Sequence, residues 1–278
     1  MTVALESPLE GQRISGRRAV LRPLRMVTHQ LRYDILSLIR NRTAQGFAIA
    51  MPISFLVLFV AIFGNGAMHY EGQLVRGSTY YVAAISVFAV VDVSFMALVI
   101  SLVEVRESGV LRRRRATPQP AWAIIASRAL TALVTGLASA GLLLVIGRLA
   151  YGASLPVSAV PALAVGVLAG VLTFACLGFA VAGLIRTFQS AQPVVMACAL
   201  PLTFISGVFI PWAFVPHWLQ HVSEAFPVRA LAVALLDPYL ALGGRSPWDG
   251  GALLVMAAWG AVGLLVAMRT FKWAPQDV

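Results

Sequence analysis

The chain has 278 residues, of which 59% are hydrophobic and 12% are charged, and its mean hydropathy is +0.85. Soluble domains carry about 25% charged residues, so the composition predicts an integral membrane protein and excludes an ordinary soluble enzyme. The net charge of +10 does not indicate nucleic-acid binding, because no soluble fold is predicted that would present a basic face.

The first 46 residues are polar and rich in arginine, and they divide into two parts. Residues 1–24 are predicted to form a cytoplasmic tail, to which no function is assigned. From Arg25 to Arg42, apolar residues recur every three or four positions between charged ones, which predicts an amphipathic helix in the inner membrane interface. The rest of the chain, residues 25–278, is predicted to form one transmembrane domain.

Six apolar stretches follow, each about as long as a ~30 Å hydrocarbon core requires. They cover residues 47–64, 79–103, 122–146, 160–185, 189–209 and 252–268. Residues 65–78 are predicted to be a short external loop. The segment 212–237 is rich in prolines and tryptophans, and it is predicted to form one or two short helices that dip into the outer leaflet.

The arginines predict the orientation of these spans. With six spans and both termini inside, the cytoplasmic side holds 17 of the 21 basic residues, and the outer side holds only Arg76, Arg148, Arg229 and Arg245. Basic residues concentrate in cytoplasmic loops of membrane proteins. The sequence therefore predicts a multi-pass protein with both termini in the cytoplasm.

One polar stretch, from Glu104 to Pro118, interrupts the apolar sequence and contains four consecutive arginines, Arg112 to Arg115. Each charged side chain placed at the centre of a bilayer costs roughly 2.5–3.5 kcal/mol. This stretch is therefore predicted to lie outside the lipid, on the cytoplasmic side.

The order of residues in this stretch predicts a short helix lying across the membrane surface, where Arg106, Leu111 and Arg113 meet a partner. The alternative is a charged loop that only fixes the topology. Such a loop needs the arginines, but it does not need acids and helix breakers at set places, which here are Glu104, Glu107, Gly109 and Pro118.

Motifs for nucleotide binding and hydrolysis are missing from the sequence. There is no G-x-x-x-x-G-K-[ST], G-x-S-x-G or H-E-x-x-H, and the only lysine is Lys272. A phosphate-binding loop of the P-loop type needs a lysine after its glycines. If ATP drives this protein, a different chain is predicted to bind it.

Two features inside or near the spans are candidate sites. Asp92 lies in the second span, where an ionisable residue is a functional candidate; the alternative is a protonated or hydrogen-bonded structural acid in a packed bundle. His217 and His221 share one face of a short helix and have metal-ligand spacing, but their surroundings favour interfacial residues over a metal site.

Two motifs resemble a known family. Glu104-Val-Arg-Glu-Ser-Gly-Val-Leu-Arg-Arg, with Ala-Thr-Pro-Gln-Pro-Ala-Trp122 after it, resembles the loop between the second and third spans of ABC-2 type transporter permeases, such as the membrane subunits of daunorubicin-resistance-like exporters. Ile205-Ser-Gly-Val-Phe-Ile-Pro211, with Phe226-Pro227, is similar to the end of span five and the external re-entrant segment of that family. With the topology, the likeness covers residues 25–272.

The resemblance implies an all-α membrane fold with six transmembrane helices, an N-terminal interfacial helix, a cytoplasmic coupling helix and an external re-entrant segment. It also implies an ATP-driven exporter of hydrophobic or amphipathic solutes, drugs or lipids, in the plasma (inner) membrane of a prokaryote. Two permeases, identical or paralogous, would pair with two ATP-binding subunits. Those subunits would bind ATP and Mg²⁺, so no cofactor, metal or nucleic acid is expected for this chain.

The resemblance further assigns roles to residues. The coupling helix, seated in a cleft of the ATPase, would use Glu104, Arg106, Glu107, Gly109, Leu111, Arg112, Arg113 and Pro118. The substrate path would lie between the two permeases and be lined by spans two and five, with Asp92, Ser94, Thr203 and Ser206 as its polar candidates.

Two other functions fit parts of the sequence. One is a proton-coupled secondary carrier that uses Asp92, which would transport solute along a pH gradient without any ATPase. The other is a membrane protein of assembly or lipid processing, against which stands the lack of an outward-facing catalytic constellation.

Overall fold

Long apolar runs form helices in this chain because a helix satisfies its own backbone hydrogen bonds where no water is available. The structure is a computed structural model that describes residues 42–70, 72–108, 121–153, 157–240 and 248–270, with the backbone alone for 42–49 and 121–126. The predicted tail, residues 1–24, and the predicted amphipathic helix before Arg42 lie outside the described residues.

The first part of the described chain contains α1 (Arg42–Phe63), β1 (Ala67–Tyr70), β2 (Gln73–Arg76), α2 (Gly77–Val91), a π-helical segment (Asp92–Ala97), α3 (Leu98–Glu107) and α4 (Ala121–Tyr151). The second part contains a 3-10 turn (Val157–Ala159), α5 (Val160–Leu184), α6 (Phe188–Ile205), a 3-10 turn (Trp212–Phe214), α7 (His217–Glu224), α8 (Pro227–Leu240) and α9 (Gly250–Thr270).

Five helices of the described chain are long and apolar enough to cross a membrane. They are Gly77–Glu107, Ser127–Tyr151, Val157–Leu184, Phe188–Ile205 and Gly250–Thr270, and a shorter apolar helix covers Ala50–Phe63. The predicted all-α membrane class is confirmed. The count of six spans stays a prediction, because the apolar helix Ala50–Phe63, a part of α1, has fewer residues than a span requires.

The helix Gly77–Glu107, which joins α2, the π-helical segment and α3 without a break, is called the central helix below. Every residue of its α2 part is buried. It packs against α1, α4, α5 and α8. Its α2 part is therefore the core around which the other helices are arranged.

An aromatic cluster fills the junction between α1, α2 and the end of α6. It comprises Phe55, Phe59, Phe88, Phe204 and Phe209. The ring of Phe209 lies 5.4 Å from that of Phe55, 5.6 Å from Phe59, 5.2 Å from Phe88 and 4.9 Å from Phe204, centre to centre. These separations are typical of favourable aromatic pairs, each contributing about 0.5–1.5 kcal/mol beyond its buried area.

The segment predicted as a loop over residues 65–78 contains a β-hairpin. Strands β1 and β2 pair antiparallel, with Tyr70 opposite Gln73. Gly72 has a φ of 80°, in the left-handed region that glycine adopts without steric cost. Four-residue strands are too short to produce a clear alternation of apolar and polar residues, so the sequence of this segment predicts a loop. The end of the bundle that carries it is called the hairpin end.

The re-entrant segment, predicted over residues 212–237, contains the two short helices α7 and α8, and their depth in the membrane stays a prediction. Helix α8 is enclosed by α2, α5 and α9. Leu231 and Leu235 of α8 are almost fully buried. A Cβ atom on Gly170 of α5 would lie 2.6 Å from the Leu231 side chain, so a glycine lets the two helices approach this closely. In contrast, Trp218 on α7 is 69% exposed.

Candidate functional site

The C-terminal end of the central helix binds the turn between α5 and α6. Arg106 is only 2% exposed. Its guanidinium donates hydrogen bonds to the carbonyl oxygen of Ala182, at 2.8 Å, and to that of Ile185, with a longer contact of 3.5 Å to the carbonyl oxygen of Arg186. The last carbonyls of a helix have no partner within it. A cation here satisfies them and also interacts favourably with the helix dipole.

Glu107, the next residue, binds the other side of the same turn. Its carboxylate accepts a hydrogen bond from the backbone N–H of Phe188, which is the first residue of α6. The first N–H groups of a helix are unpaired and attract an anion. Arg106 and Glu107 thus bind a helix C-terminus and a helix N-terminus, and we call the two residues with the turn 185–188 the charge clasp.

The charge clasp corrects the predicted coupling helix in two respects. First, Glu104–Glu107 is the last turn of α3 and continues the central helix, whereas a separate helix across the membrane surface was predicted from Glu104 onward. Second, Arg106 was predicted to meet a partner, but its guanidinium is occupied by carbonyl groups of this chain. A buried arginine needs such partners because an isolated buried charge is costly.

The remaining coupling residues have different positions. Glu104 is exposed at the end of the central helix, and Glu107 is exposed apart from its contact with α6. The predicted residues that follow lie outside the described part of the chain; they are Gly109, Leu111, Arg112, Arg113 and Pro118. Among the predicted coupling residues that the structure describes, Glu104 is the exposed one whose side chain makes no hydrogen bond or ion pair with another described residue.

Three of the four predicted path residues face the protein interior. Ser94, Thr203 and Ser206 are at most 1% exposed. Each hydroxyl donates to the carbonyl oxygen four residues earlier, that of Val90, Ala199 and Leu202 respectively. Serine and threonine within helices often bond in this way. In this structure these three side chains are occupied by their own helices and do not line an open surface.

Asp92, the fourth, differs from the other three. It is partly exposed, at the first position of the π-helical segment. Within the described chain its carboxylate has no hydrogen bond and no basic group within 4 Å. Single turns of π-helix are rare and occur often at functional sites. The sequence indicated Asp92 by its charge, but nothing in the sequence indicated the π-helical segment.

The hairpin end holds a set of contacts that the sequence analysis missed. The Tyr80 hydroxyl donates to the carbonyl oxygen of Gly207, which has a φ of 81°. The Arg229 guanidinium lies 3.5 Å from the centre of the Trp212 ring, a cation–π contact. The first contact fixes the end of α6 to α2, and the second joins α8 to the 3-10 turn Trp212–Phe214.

Two further features of the hairpin end lie apart from the predicted path. A cleft of about 640 Å³ opens between α7, α8 and α9, with Glu224, Asp237 and Asp249 among its lining residues. It contains none of the four path candidates. On α7, the His221 imidazole lies 3.8 Å from the Glu224 carboxylate, and both side chains are exposed. No group of three potential metal ligands occurs among the residues the structure describes.

These features define a class: a multi-pass helical membrane protein whose central helix joins a buried core to a charged end. The sequence profile of the ABC-2 type transporter family matches residues 28–240, well over half of the chain. No curated protein matches it. The chain belongs to the ABC-2 type transporter family. It is a membrane permease component of an ABC transporter, a transport subunit and not the ATP-binding component.

Proposed function

We propose that this permease exports hydrophobic or amphipathic solutes, drugs or lipids, from the cytoplasm or the inner leaflet. A separate ATP-binding subunit drives it, and a second permease, identical or paralogous, completes the membrane part. The observation that carries this proposal is the central helix. It runs unbroken for 31 residues from the hairpin to Glu107, so a displacement of its charged end is carried into the bundle core.

The charge clasp supports this proposal. Because Arg106 and Glu107 bind the ends of α5 and α6, a force on the central helix also acts on both of those helices. The Glu104 carboxylate is exposed in the last turn of the central helix. It is then the group that contacts a basic residue of the ATPase. ATP and Mg²⁺ belong to that subunit in this proposal.

The positions of the basic residues support an orientation in which the hairpin end is external. Arg106, Arg128 and Arg269 lie at the opposite ends of their helices from the hairpin, and Arg186 lies at that same end in the turn between α5 and α6. The positive-inside rule places such residues in the cytoplasm. We place the protein accordingly in the plasma membrane of a prokaryote, with both termini inside.

Reversing the charge of Glu104 tests the coupling contact. In inside-out vesicles that contain the permease with its ATP-binding subunit, Glu104→Arg is expected to lower ATP-driven uptake of an amphipathic fluorescent probe by about tenfold or more, because a like-charge contact replaces an attractive one. Membrane insertion and the amount of permease are expected to stay normal. ATP hydrolysis and uptake are measured on the same vesicles, so that loss of coupling is separated from loss of hydrolysis.

The matched control is Glu224→Arg, which makes the same charge change on an exposed glutamate of α7, at the hairpin end. It is expected to transport like the wild type. Equal transport by both variants and the wild type would remove Glu104 from the coupling contact. Glu107→Arg is a poorer test, because it also removes the acceptor of the Phe188 N–H. Uptake that follows an imposed pH gradient without ATP would favour the secondary carrier instead.

A further inference from the structure

Each of the three helices that meet at the charge clasp contains, close to it, a feature that weakens the regular helix. We call these features defects. The central helix contains the π-helical segment Asp92–Ala97, α5 contains Gly178, and α6 contains Pro193. Sharp helix bends occur mostly at prolines and π-helical turns, and a glycine weakens a helix locally because its backbone has the greatest freedom. Each of the three helices can therefore bend at a defined position.

All three defects lie between the charge clasp and the buried core. Counted at 1.5 Å per residue, Ala97 is about 14 Å from Arg106, Gly178 is about 9 Å from the end of α5, and Pro193 is about 8 Å from the start of α6. Gly178 faces the π-helical segment, because a Cβ atom added to it would lie 3.4 Å from the carbonyl oxygen of Ser94. Helix α6 packs against the same segment. The π-helical segment, Gly178 and Pro193 are called the hinge layer below.

The core side of the hinge layer is tightly packed. Every residue of the central helix from Gly77 to Val91 is buried. Immediately before Gly178, the backbone of α5 lies so close to α9 that a Cβ atom on Gly263 would be 2.8 Å from the nitrogen of Leu177. Tightly packed interiors have low compressibility and do not deform continuously. A movement of the charge clasp is therefore expected to bend the helices at the hinge layer and to leave the core packing unchanged.

The other side of the hinge layer is held together by the charge clasp. Arg106 binds the carbonyl oxygens of Ala182 and Ile185 at the end of α5, and Glu107 binds the N–H of Phe188 at the start of α6. Hydrogen bonds with a charged partner are roughly twice as strong as neutral ones. The three helix ends are therefore expected to shift together. A bend in only one of these helices would break the charge clasp, which is why a defect in each of the three is informative.

We infer that the charge clasp and the helix ends attached to it turn as one rigid unit about the hinge layer during the transport cycle. This inference rests on the proposed coupling to a separate ATP-binding subunit, and it assigns the place where the permease bends. The three defects touch no substrate. They determine how far the ends of α3, α5 and α6 turn against the core, so removal of one defect stiffens one helix and restrains the two linked to it.

Straightening α6 tests the hinge layer. Pro193→Ala restores a backbone N–H and places a better helix former at an exposed position. The variant is expected to resist SDS at least as well as the wild type, while ATP-driven uptake of the amphipathic probe falls by about fivefold or more, because the bent state loses population. Adding Gly178→Ala is expected to lower uptake further. The matched control is Pro201→Ala, the same change at an exposed proline of α6 on the core side of the hinge layer, which is expected to transport like the wild type.

A distance measurement follows the movement without any transported probe. Spin labels are attached through Arg186→Cys, in the turn of the charge clasp, and Arg128→Cys, near the start of α4, which packs against α2. The two native cysteines are replaced by alanine, and labelled permease is diluted with unlabelled permease. When the ATP-binding subunit binds a non-hydrolysable ATP analogue, the distance between the labels is expected to change by about 3 Å or more, the displacement that a bend of roughly 20° gives over about 9 Å. Pro193→Ala with Gly178→Ala is expected to suppress this change.

The outcomes separate this inference from the proposed function. A Pro193→Ala permease that transports like Pro201→Ala would overturn the hinge, and so would an equal loss in both variants or a loss of resistance to SDS in Pro193→Ala. ATP-driven uptake by the wild type without a change in the label distance would retain export and remove the hinge. A change in the label distance that the double variant suppresses, without ATP-driven uptake of any probe, would remove export and retain the hinge.

Discussion

Arg106→Ala is expected to destabilise the folded permease by about 3–5 kcal/mol. The substitution removes charged hydrogen bonds to the carbonyl oxygens of Ala182 and Ile185, and each such bond contributes about 1.5–3 kcal/mol. It also leaves the end of α5 without its cation. The measurement is the free energy of unfolding of the purified protein in mixed detergent and SDS, followed by circular dichroism.

Two further variants distinguish the charge clasp from a general effect of removing an arginine. Arg186→Ala removes the same side chain from an exposed position in the same turn and is expected to change the stability by no more than about 0.5 kcal/mol. Arg106→Lys is expected to be intermediate, because one ammonium group lacks the fork of donors that reaches two carbonyls. If Arg106→Ala were as stable as Arg186→Ala, the clasp would contribute nothing to the fold.

Some limits of the spans were predictable because they depend on local composition, whereas the helix predicted to end at 146 continues to Tyr151 and the one predicted to end at 209 ends at Ile205. The prediction for residues 160–185 differs by one residue from the helix Val160–Leu184, and the prediction that a span begins at 189 differs by one from Phe188. A span is predicted to end where a charged residue occurs, because a charged side chain is costly in hydrocarbon. The predicted end at 103 was set by the charge of Glu104. The central helix extends past it because no helix breaker occurs there.

The arrangement of the candidate site was less predictable because it depends on partners distant in sequence. Hydropathy predicts that a charged residue such as Arg106 is exposed to water. Its burial depends on hydrogen-bond partners at the ends of α5 and α6, which are distant in sequence. Likewise the sequence predicted a short helix near α8 but not its enclosure by α2, α5 and α9. The charge of Asp92 was visible in the sequence, whereas the π-helical segment that begins at Asp92 was not.

Gly263→Ala is expected to destabilise the bundle by about 1–3 kcal/mol, in the range of overpacking substitutions. Gly263 is buried on the face of α9 that packs against α5. A Cβ atom added there would lie 2.8 Å from the backbone nitrogen of Leu177 and 2.9 Å from the carbonyl carbon of Cys176. Backbone atoms cannot rotate away as a side chain does, so the two helices must separate.

The matched control is Gly260→Ala, three residues earlier on the same helix. Its added Cβ would lie 3.6 Å from Thr173, an ordinary van der Waals distance, and alanine is about 1 kcal/mol better than glycine within a helix. Gly260→Ala is therefore expected to be neutral or slightly stabilising. The hydrogen bond from the Thr173 hydroxyl to the Met256 carbonyl, 3.0 Å long, should persist in it.

Because both variants gain the same backbone preference, the difference between their unfolding free energies isolates the cost of separating α5 from α9. Small residues let membrane helices approach closely, and this packing replaces the hydrophobic effect that is lost between helices in lipid. If the Gly263→Ala variant were as stable as Gly260→Ala, the close approach of α9 to α5 at Gly263 would contribute nothing to the stability of the bundle.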